Sequence, residues 1–361
     1  QCRYPRAGLI GNRIMTFVRN NISQLAGYVP GEQPQGGKFI KLNTNENPYP
    51  PSLKVVEAIQ VAAEKLVRYP DPVSTAFRLA AGEALNVDPD WIICGNGSDD
   101  ILTVLTRSFV DQGDLIRLPN PSYILYRTLA EIQGARSQEV DFNDDWTLPT
   151  SFGDPDEGLK LVFLPNPNSP TGTVVSQEEI LALAEQLPCP ILIDEAYVDF
   201  AEFNCIELVK QNEKIMVSRT LSKSYGLAGL RFGFLVAQPS MIEQLLKVKD
   251  SYNCDALSIA GATAAISDQQ WLRENVSKIR ATRESLQSQL TQLGFEVIPS
   301  QANFVWCTHP EAEVKPIYEY LKENRILVRY MSYPNWKEGL RISVGTDDQI
   351  SACMSLIQSK V

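Results

Sequence analysis

Between positions 52 and 66 the apolar residues Val55, Ile59, Ala62, Ala63 and Leu66 recur on one face at helical spacing, with Ser52 placed to cap them. That stretch predicts a helix, and a second helix follows to about position 85. Beyond it, short apolar runs alternate with longer amphipathic stretches. The runs at 91–94, 114–118, 159–164, 190–193, 214–218 and 231–236 read as strands. The stretches at 101–109, 121–131, 177–186 and 240–248 read as helices. Strands alternating with helices predict an α/β layer with a mostly parallel sheet.

The pattern changes after about position 268. A long polar-faced helix at 271–293 is followed by strands at 296–298 and 303–306, a helix at 317–323, and strands at 326–329 and 340–344. That order predicts a smaller α+β domain. At the other end, residues 1–37 carry too much Pro and Gly, notably in Gly27-Tyr28-Val29-Pro30-Gly31, for a helix or a central strand. The expected organisation is therefore an N-terminal arm (1–37), which is followed by a short strand at 38–42, a large domain (38–268) and a small C-terminal domain (269–361).

Composition narrows the classes of function. A chain of 361 residues, 44% apolar and 21% charged, has the balance of a globular protein with room for two domains. A net charge of −10 argues against nucleic acid or an anionic membrane surface as partner. No apolar run is long enough for a transmembrane helix. Charges interrupt the first sixteen residues, which do not read as a signal peptide, and Met15 is a candidate internal start. The seven cysteines are widely spaced and form no CxxC, which suits small core thiols in a reducing, cytoplasmic compartment. With His309 as the only histidine, a His-based triad or His-rich metal site is not expected, and no metal is assigned.

The chemistry centres on Thr220-Leu221-Ser222-Lys223-Ser224-Tyr225-Gly226, with Arg231 eight positions after the lysine. A lysine among small hydroxyl, glycine and apolar residues is poorly hydrated, which favours the free amine that attacks a carbonyl. The arginine fork and the neighbouring hydroxyls suit phosphate oxygens. A carbonyl-bearing, phosphate-bearing cofactor fits both, and pyridoxal 5′-phosphate is such a molecule. The strand-to-helix turn Gly95-Asn96-Gly97-Ser98-Asp99-Asp100 aims free N–H groups at a phosphate. Asp194 ends an apolar strand, placed to pair with a protonated pyridine nitrogen. Tyr197 and Asn168 can donate to a phenolic oxygen, and Tyr123 offers a ring to stack. Each also has an ordinary structural reading: a helix cap for Asp194, core aromatics for Tyr123 and Tyr197, a turn former for Asn168. Together, each at a strand end where parallel sheets collect ligands, they favour the chemical reading.

With those residues in place the chain resembles the fold-type I pyridoxal-phosphate aminotransferases over essentially its whole length. The shared pattern is Asn166-Pro167-x-x-Pro170-x-Gly172, Asp194-x-x-Tyr197, Ser222-Lys223, and Arg231. It is more narrowly similar to the histidinol-phosphate branch of that family, through Gly27 to Gly31, Leu42-Asn43-Thr44-Asn45-Glu46-Asn47-Pro48, Arg68-Tyr69-Pro70-Asp71-Pro72, Val328-Arg329 and Gly339-Leu340-Arg341-Ile342-Ser343. The resemblance implies a seven-stranded sheet in the large domain. It implies amino transfer between L-histidinol phosphate and 2-oxoglutarate in histidine biosynthesis, giving imidazole acetol phosphate and glutamate, by ping-pong turnover through a Schiff base at Lys223. It further implies that Lys223 shuttles protons and that Asp194 holds the pyridine nitrogen. Asn168 and Tyr197 would hold the phenolic oxygen, and Tyr123 would stack. Gly97, Ser98, Thr220 or Ser222, and Arg231 would bind the cofactor phosphate. Tyr28, Asn45, Tyr69, Arg329 and Arg341 would surround the substrate, with Tyr69 supplied by the partner in a homodimer. The alternatives on the same scaffold are an aromatic aminotransferase and an amino-acid-phosphate decarboxylase. A non-catalytic binding protein of this fold would be expected to lack the lysine.

Overall fold

A computed structural model describes residues 17–26, 31–34 and 36–361. Tyr28, Cys2 and Met15 lie outside the described residues. The elements in chain order are α1 (Asn20–Gln24), β1 (Ile40–Lys41), α2 (Leu53–Ala63), α3 (Thr75–Leu85), β2 (Ile92–Gly95), α4 (Ser98–Phe109), β3 (Leu115–Asn120), α5 (Leu125–Gln133), β4 (Arg136–Asp141), β5 (Leu159–Pro165) and α6 (Gln177–Gln186). They continue with β6 (Ile191–Asp194), α7 (Leu208–Gln211), β7 (Ile215–Thr220), β8 (Gly233–Val236), α8 (Pro239–Leu245), α9 (Ala256–Ser267) and α10 (Gln269–Gln292). The last are β9 (Glu296–Val297), β10 (Phe304–Thr308), α11 (Val314–Glu323), β11 (Ile326–Leu327), β12 (Arg329–Met331), β13 (Gly339–Ser343) and α12 (Asp347–Gln358).

Seven strands form the central sheet in the order β2-β8-β7-β6-β5-β3-β4. All neighbours pair in parallel except at β8, which is antiparallel to both β2 and β7. The middle strands are buried on both faces, as parallel strands covered by helices must be. One apolar cluster carries Ile191, Ile193, Val217 and Val236. Leu192, Met216 and Leu235, alternating with them along the same strands, enter the other. This is the expected mostly parallel seven-stranded sheet sandwiched by helices.

A second sheet, β12-β13-β10-β9, is antiparallel throughout. It shares a core of Leu286, Leu290, Val305, Ile317, Leu340, Ile342 and Ile350 with α10, α11 and α12. Strand β1 pairs in parallel with β11, and Leu42 after it enters that same core. The stretch after β1 therefore passes from the smaller core to the mouth of the large sheet.

Several elements depart from the expectations, among them α1 (Asn20–Gln24), a short helix within the arm expected to be irregular, and α7 (Leu208–Gln211), which the pattern left unassigned. β4 reads Arg-Ser-Gln-Glu-Val-Asp and shows no apolar run, because an edge strand buries little and is kept polar. α9 is built of small and apolar residues on every side and so shows no amphipathic stripe. α12 is a capped helix that the pattern left unassigned, closed at its start by a Thr346–Gln349 capping box. The expected helix at 121–131 starts only at Leu125, leaving Pro121 to Ile124 as a turn after the end of β3.

Candidate active site

The carboxyl ends of β3, β5, β6 and β7 open on a cavity of about 700 Å³, closed from the other side by β12 and β13. Lys223 stands on the turn after β7 and enters this space. Its Nζ donates to the Thr44 carbonyl at 3.4 Å and lies 5.6 Å from the Tyr197 ring centre. The backbone beneath it is held from the other core, since the Asn47 amide donates to the carbonyls of Lys223 (3.1 Å) and Ser224 (2.8 Å).

Asp194 ends β6 and is 4% exposed. Tyr126 donates to its Oδ2 at 2.6 Å and Ser218 to its Oδ1 at 3.2 Å. Burial raises this carboxyl above its ordinary range, against the opposing hydrogen bonds from Tyr126, Ser218 and the Ala196 N–H, while Asp99 adds to the rise. A buried carboxylate that faces hydroxyls and another carboxylate, with no ion pair to a cation among the described residues, is suited to receive a cationic ring nitrogen.

The turn at Gly97 forms the third corner. Gly97 has φ +81°, and a Cβ there would lie 2.6 Å from Nη2 of Arg231, so only glycine lets the guanidinium lie against the turn. α4 starts at Ser98 with no side chain capping its first N–H groups. Gly233, at the start of β8, approaches so closely that a Cβ would stand 2.6 Å from the Ser98 nitrogen. Arg231 donates to Ser222 Oγ at 3.4 Å and pairs with Asp99 at 3.3 Å. Thr220 Oγ1 donates to Ser222 Oγ at 3.0 Å. Backbone N–H groups, two hydroxyls and a guanidinium thus converge in the manner of an anion cradle.

Tyr123 follows β3, donates to Asp99 at 3.2 Å and meets Tyr126 edge-on at 5.6 Å. Tyr197 accepts from the Asn45 amide at 3.0 Å and meets Phe304 edge-on at 5.0 Å. Asn45, itself at φ +55°, is locked to Ser343 through its N–H and Oδ1. Asn168 donates to the Pro121 carbonyl (3.2 Å) and Thr171 (3.0 Å), and its buried Oδ1 has no hydrogen-bond partner among the described residues.

Arg329 on β12 and Arg341 on β13 are directly opposite in the ladder, so both side chains leave the same face of the sheet, and both line the cavity. Arg341 donates to Ser169 Oγ (2.9 Å) and the Asn43 carbonyl (3.2 Å) and lies over the Phe304 ring. It is not diverted to Glu338, which binds Tyr330, or to Asp347, which binds Thr282. Arg329 has no hydrogen-bond or ion-pair partner among the described residues. Like charges facing each other across a ladder are unfavourable unless an anion lies between them.

Tyr69 is the one described substrate candidate that does not line its own chain's cavity. It is 82% exposed and stacked on Tyr252 at 4.6 Å. Sequence reasoning missed Tyr126 and Ser218, which hold Asp194, and Tyr333, whose phenol burial pushes up to about 12 against Arg341 and Arg329. A tyrosine three residues after Tyr123 was the only signal for Tyr126.

Residues 37–357 match the family model "Aminotransferase class I and II". The chain is 61% identical over 342 residues to the histidinol-phosphate aminotransferase of Rhodopirellula baltica, covering 94% of each chain. It is 48% identical to that of Geotalea daltonii, covering 93% of this chain and 97% of the relative. Among solved structures it is similar to a histidinol-phosphate aminotransferase from Sinorhizobium meliloti in complex with pyridoxal-5′-phosphate, with TM-score 0.88, 26% identity, and 97% and 100% of the two chains covered.

Proposed function

The chain belongs to the class I and II aminotransferases, and we propose from that premise that its cleft carries out amino transfer between L-histidinol phosphate and 2-oxoglutarate, the activity in histidine biosynthesis that its relatives' names indicate. The observation that carries this reading is the facing pair Arg329 and Arg341, presented to the same cavity as Lys223. A guanidinium fork suits the substrate phosphate in one half-reaction and a carboxylate of glutamate in the other.

The enzyme is a pyridoxal 5′-phosphate transaminase, and the residues present fit that cofactor. The Gly97 turn and the uncapped start of α4, with Ser98, Thr220, Ser222 and Arg231, suit its phosphate. Asp194 suits its ring nitrogen, and the unpartnered buried Asn168 Oδ1 and Ser122 Oγ mark places where a polar ligand belongs. Bound pyridoxal phosphate supplies an electrophilic carbonyl carbon and an electron-accepting ring.

The chain's own residues do the rest. Lys223 is the amine that would hold the cofactor through its carbonyl carbon and, once displaced by the substrate amine, would move the proton to and from the carbon bearing that amine. Asp194, as an anion, would keep a proton on the ring nitrogen. Tyr197, oriented by Asn45, would donate to the phenolic oxygen, whereas Asn168 would have to release its amide from Pro121 and Thr171 to do so. Tyr123 would stack on the ring, and Thr220 or Ser222, which lie together beside Arg231, would bind the phosphate. The two half-reactions use one site in turn, so ping-pong kinetics follow.

The purified enzyme tests this with histidinol phosphate, unphosphorylated histidinol and phenylalanine as amine donors. Arg329→Ala or Arg341→Ala is expected to cost about 2–3 kcal/mol in kcat/KM for histidinol phosphate, the scale of a lost charge-assisted hydrogen bond. The loss against unphosphorylated histidinol is expected to be much smaller. Equal losses against both would transfer the assignment to an aromatic amino-acid substrate.

A homodimer with shared sites accounts for Tyr69. Leu66 and Val67 immediately before its turn, and Leu53, Val56 and Val61 on α2, are exposed apolar residues suited to contact with a second copy. Asp71 stiffens the turn by accepting from the N–H groups of Val73 and Thr75. Mixing Tyr69→Ala with Lys223→Ala subunits is expected to restore activity, because each hybrid dimer contains one intact site. Hybrids that form and stay inactive would place Tyr69 outside the partner's site.

The proposed division is an arm (1–37), a large domain and a small domain (269–361); the expected start of the large domain at 38 is corrected, because β1 pairs with β11 and Leu42 packs in the smaller core. Tyr28 of the arm is proposed as a further substrate contact. A cytoplasmic location accords with the six described cysteines being free and buried. No helix among the described residues is long and apolar enough to cross a membrane.

A further inference from the structure

Tyr126 is fully buried, at 0% exposure, on the helix behind the cavity. Its ring stacks on Phe163 at 4.8 Å and meets the edge-on Tyr123 ring at 5.6 Å. Phenylalanine would fill the same space without a polar atom to satisfy. The hydroxyl is instead spent on one group, donating to Asp194 Oδ2 at 2.6 Å, while Ser218 approaches the other oxygen at 3.2 Å. Both Tyr126 and Asp194 line the cavity that Lys223 enters.

We propose that Tyr126 is a positioning residue for the amino transfer: its O–H holds the Asp194 carboxylate as an anion directed at the cofactor's ring nitrogen, and its ring braces Tyr123. This rests on the reading of Asp194 as the partner of that nitrogen. One proton lies between nitrogen and carboxylate. It stays on the nitrogen only while the carboxylate is the weaker base. Burial makes Asp194 more basic, Asp99 adds to this, and the Tyr126 and Ser218 hydrogen bonds oppose it. Without the phenol O–H the ring-nitrogen proton would pass to the Asp194 carboxylate, with nothing oxidised or reduced.

The test uses holoenzyme loaded with cofactor carrying 15N at the ring nitrogen. In the wild type that nitrogen is expected to resonate as protonated pyridine. In Tyr126→Phe it is expected to move toward the unprotonated value, with the circular dichroism spectrum unchanged. The same variant is expected to lose about tenfold in kcat, the scale of one hydrogen bond to a charged group, with KM for histidinol phosphate within about twofold. Ser218→Ala is expected to give a smaller movement in the same direction, and it carries the test should Tyr126→Phe not fold. A folded Tyr126→Phe holoenzyme with an unmoved nitrogen resonance overturns the proposal, as does an unmoved resonance in Ser218→Ala if that variant alone folds. Asp194→Asn separates the two levels: if it too leaves the resonance unmoved, the reading of Asp194 fails rather than the role of Tyr126.

Discussion

Replacing Lys223 by alanine is expected to abolish turnover while leaving the fold and the non-covalent cofactor contacts in place. The backbone of the lysine turn does not depend on the side chain, because Asn47 binds the carbonyls of residues 223 and 224. The side chain's own contact is a 3.4 Å hydrogen bond to Thr44, so its removal costs little stability. The proposed phosphate cradle at Gly97, Ser98, Ser222 and Arg231 is untouched, and cofactor is expected to remain bound. What is lost is the group that moves the proton, worth roughly 10²–10⁴ in rate by itself. Borohydride reduction followed by mass spectrometry is expected to find cofactor attached at residue 223 in the wild type and at no position in the variant. Attachment at another lysine, or turnover close to wild type, would show that Lys223 is not the carrier.

Asp194→Asn is the second large effect. The amide has almost the same shape, and the hydroxyls of Tyr126 and Ser218 can reorient to meet it, so the protein is expected to fold. The charge is lost. A unit pair at 4 Å is worth roughly 4 kcal/mol at an effective dielectric of 20, which sets a ceiling of about a thousandfold on the rate attributable to it. Weaker cofactor retention on dialysis is expected alongside the lower kcat. A variant that keeps a near-normal rate and tightly bound cofactor would remove Asp194 from the mechanism. Its immediate neighbour Glu195 is not interchangeable with it, since Glu195 is bound to Arg219 at 2.8 Å in a buried pair. Substitution there is expected to act through stability, because it would strand a buried guanidinium.

Much of the site was legible because strand-end motifs are local. Asp194 terminates Ile191-Leu192-Ile193, Lys223 follows the turn after β7, and Gly97 precedes a helix start, all within a few residues of a recognisable apolar run. In a parallel sheet those ends gather at one edge, so identifying the strands was enough to gather the residues. The α2 cap at Ser52 and the bounds of α6 were legible for the same reason.

Other features depended on partners distant in sequence. Tyr126 lies in a helical stripe with Leu129 and Ala130 and reads as core; its hydroxyl has a function only because Asp194, 68 residues on, ends beside it. Arg329 and Arg341 each follow from the motifs, but their facing register exists only in the β12–β13 ladder. Asn47 reaches the Lys223 turn across 176 residues. The exposure of Tyr69 and its absence from its own cavity likewise emerge only once the chain is folded. Periodicity records how each position divides between water and core, which depends on nearby spacing and is therefore written locally. A hydrogen-bond partner or a strand register is set by where two distant segments come to rest, so only the tertiary structure decided which buried hydroxyl meets Asp194 and which two arginines face each other across a ladder.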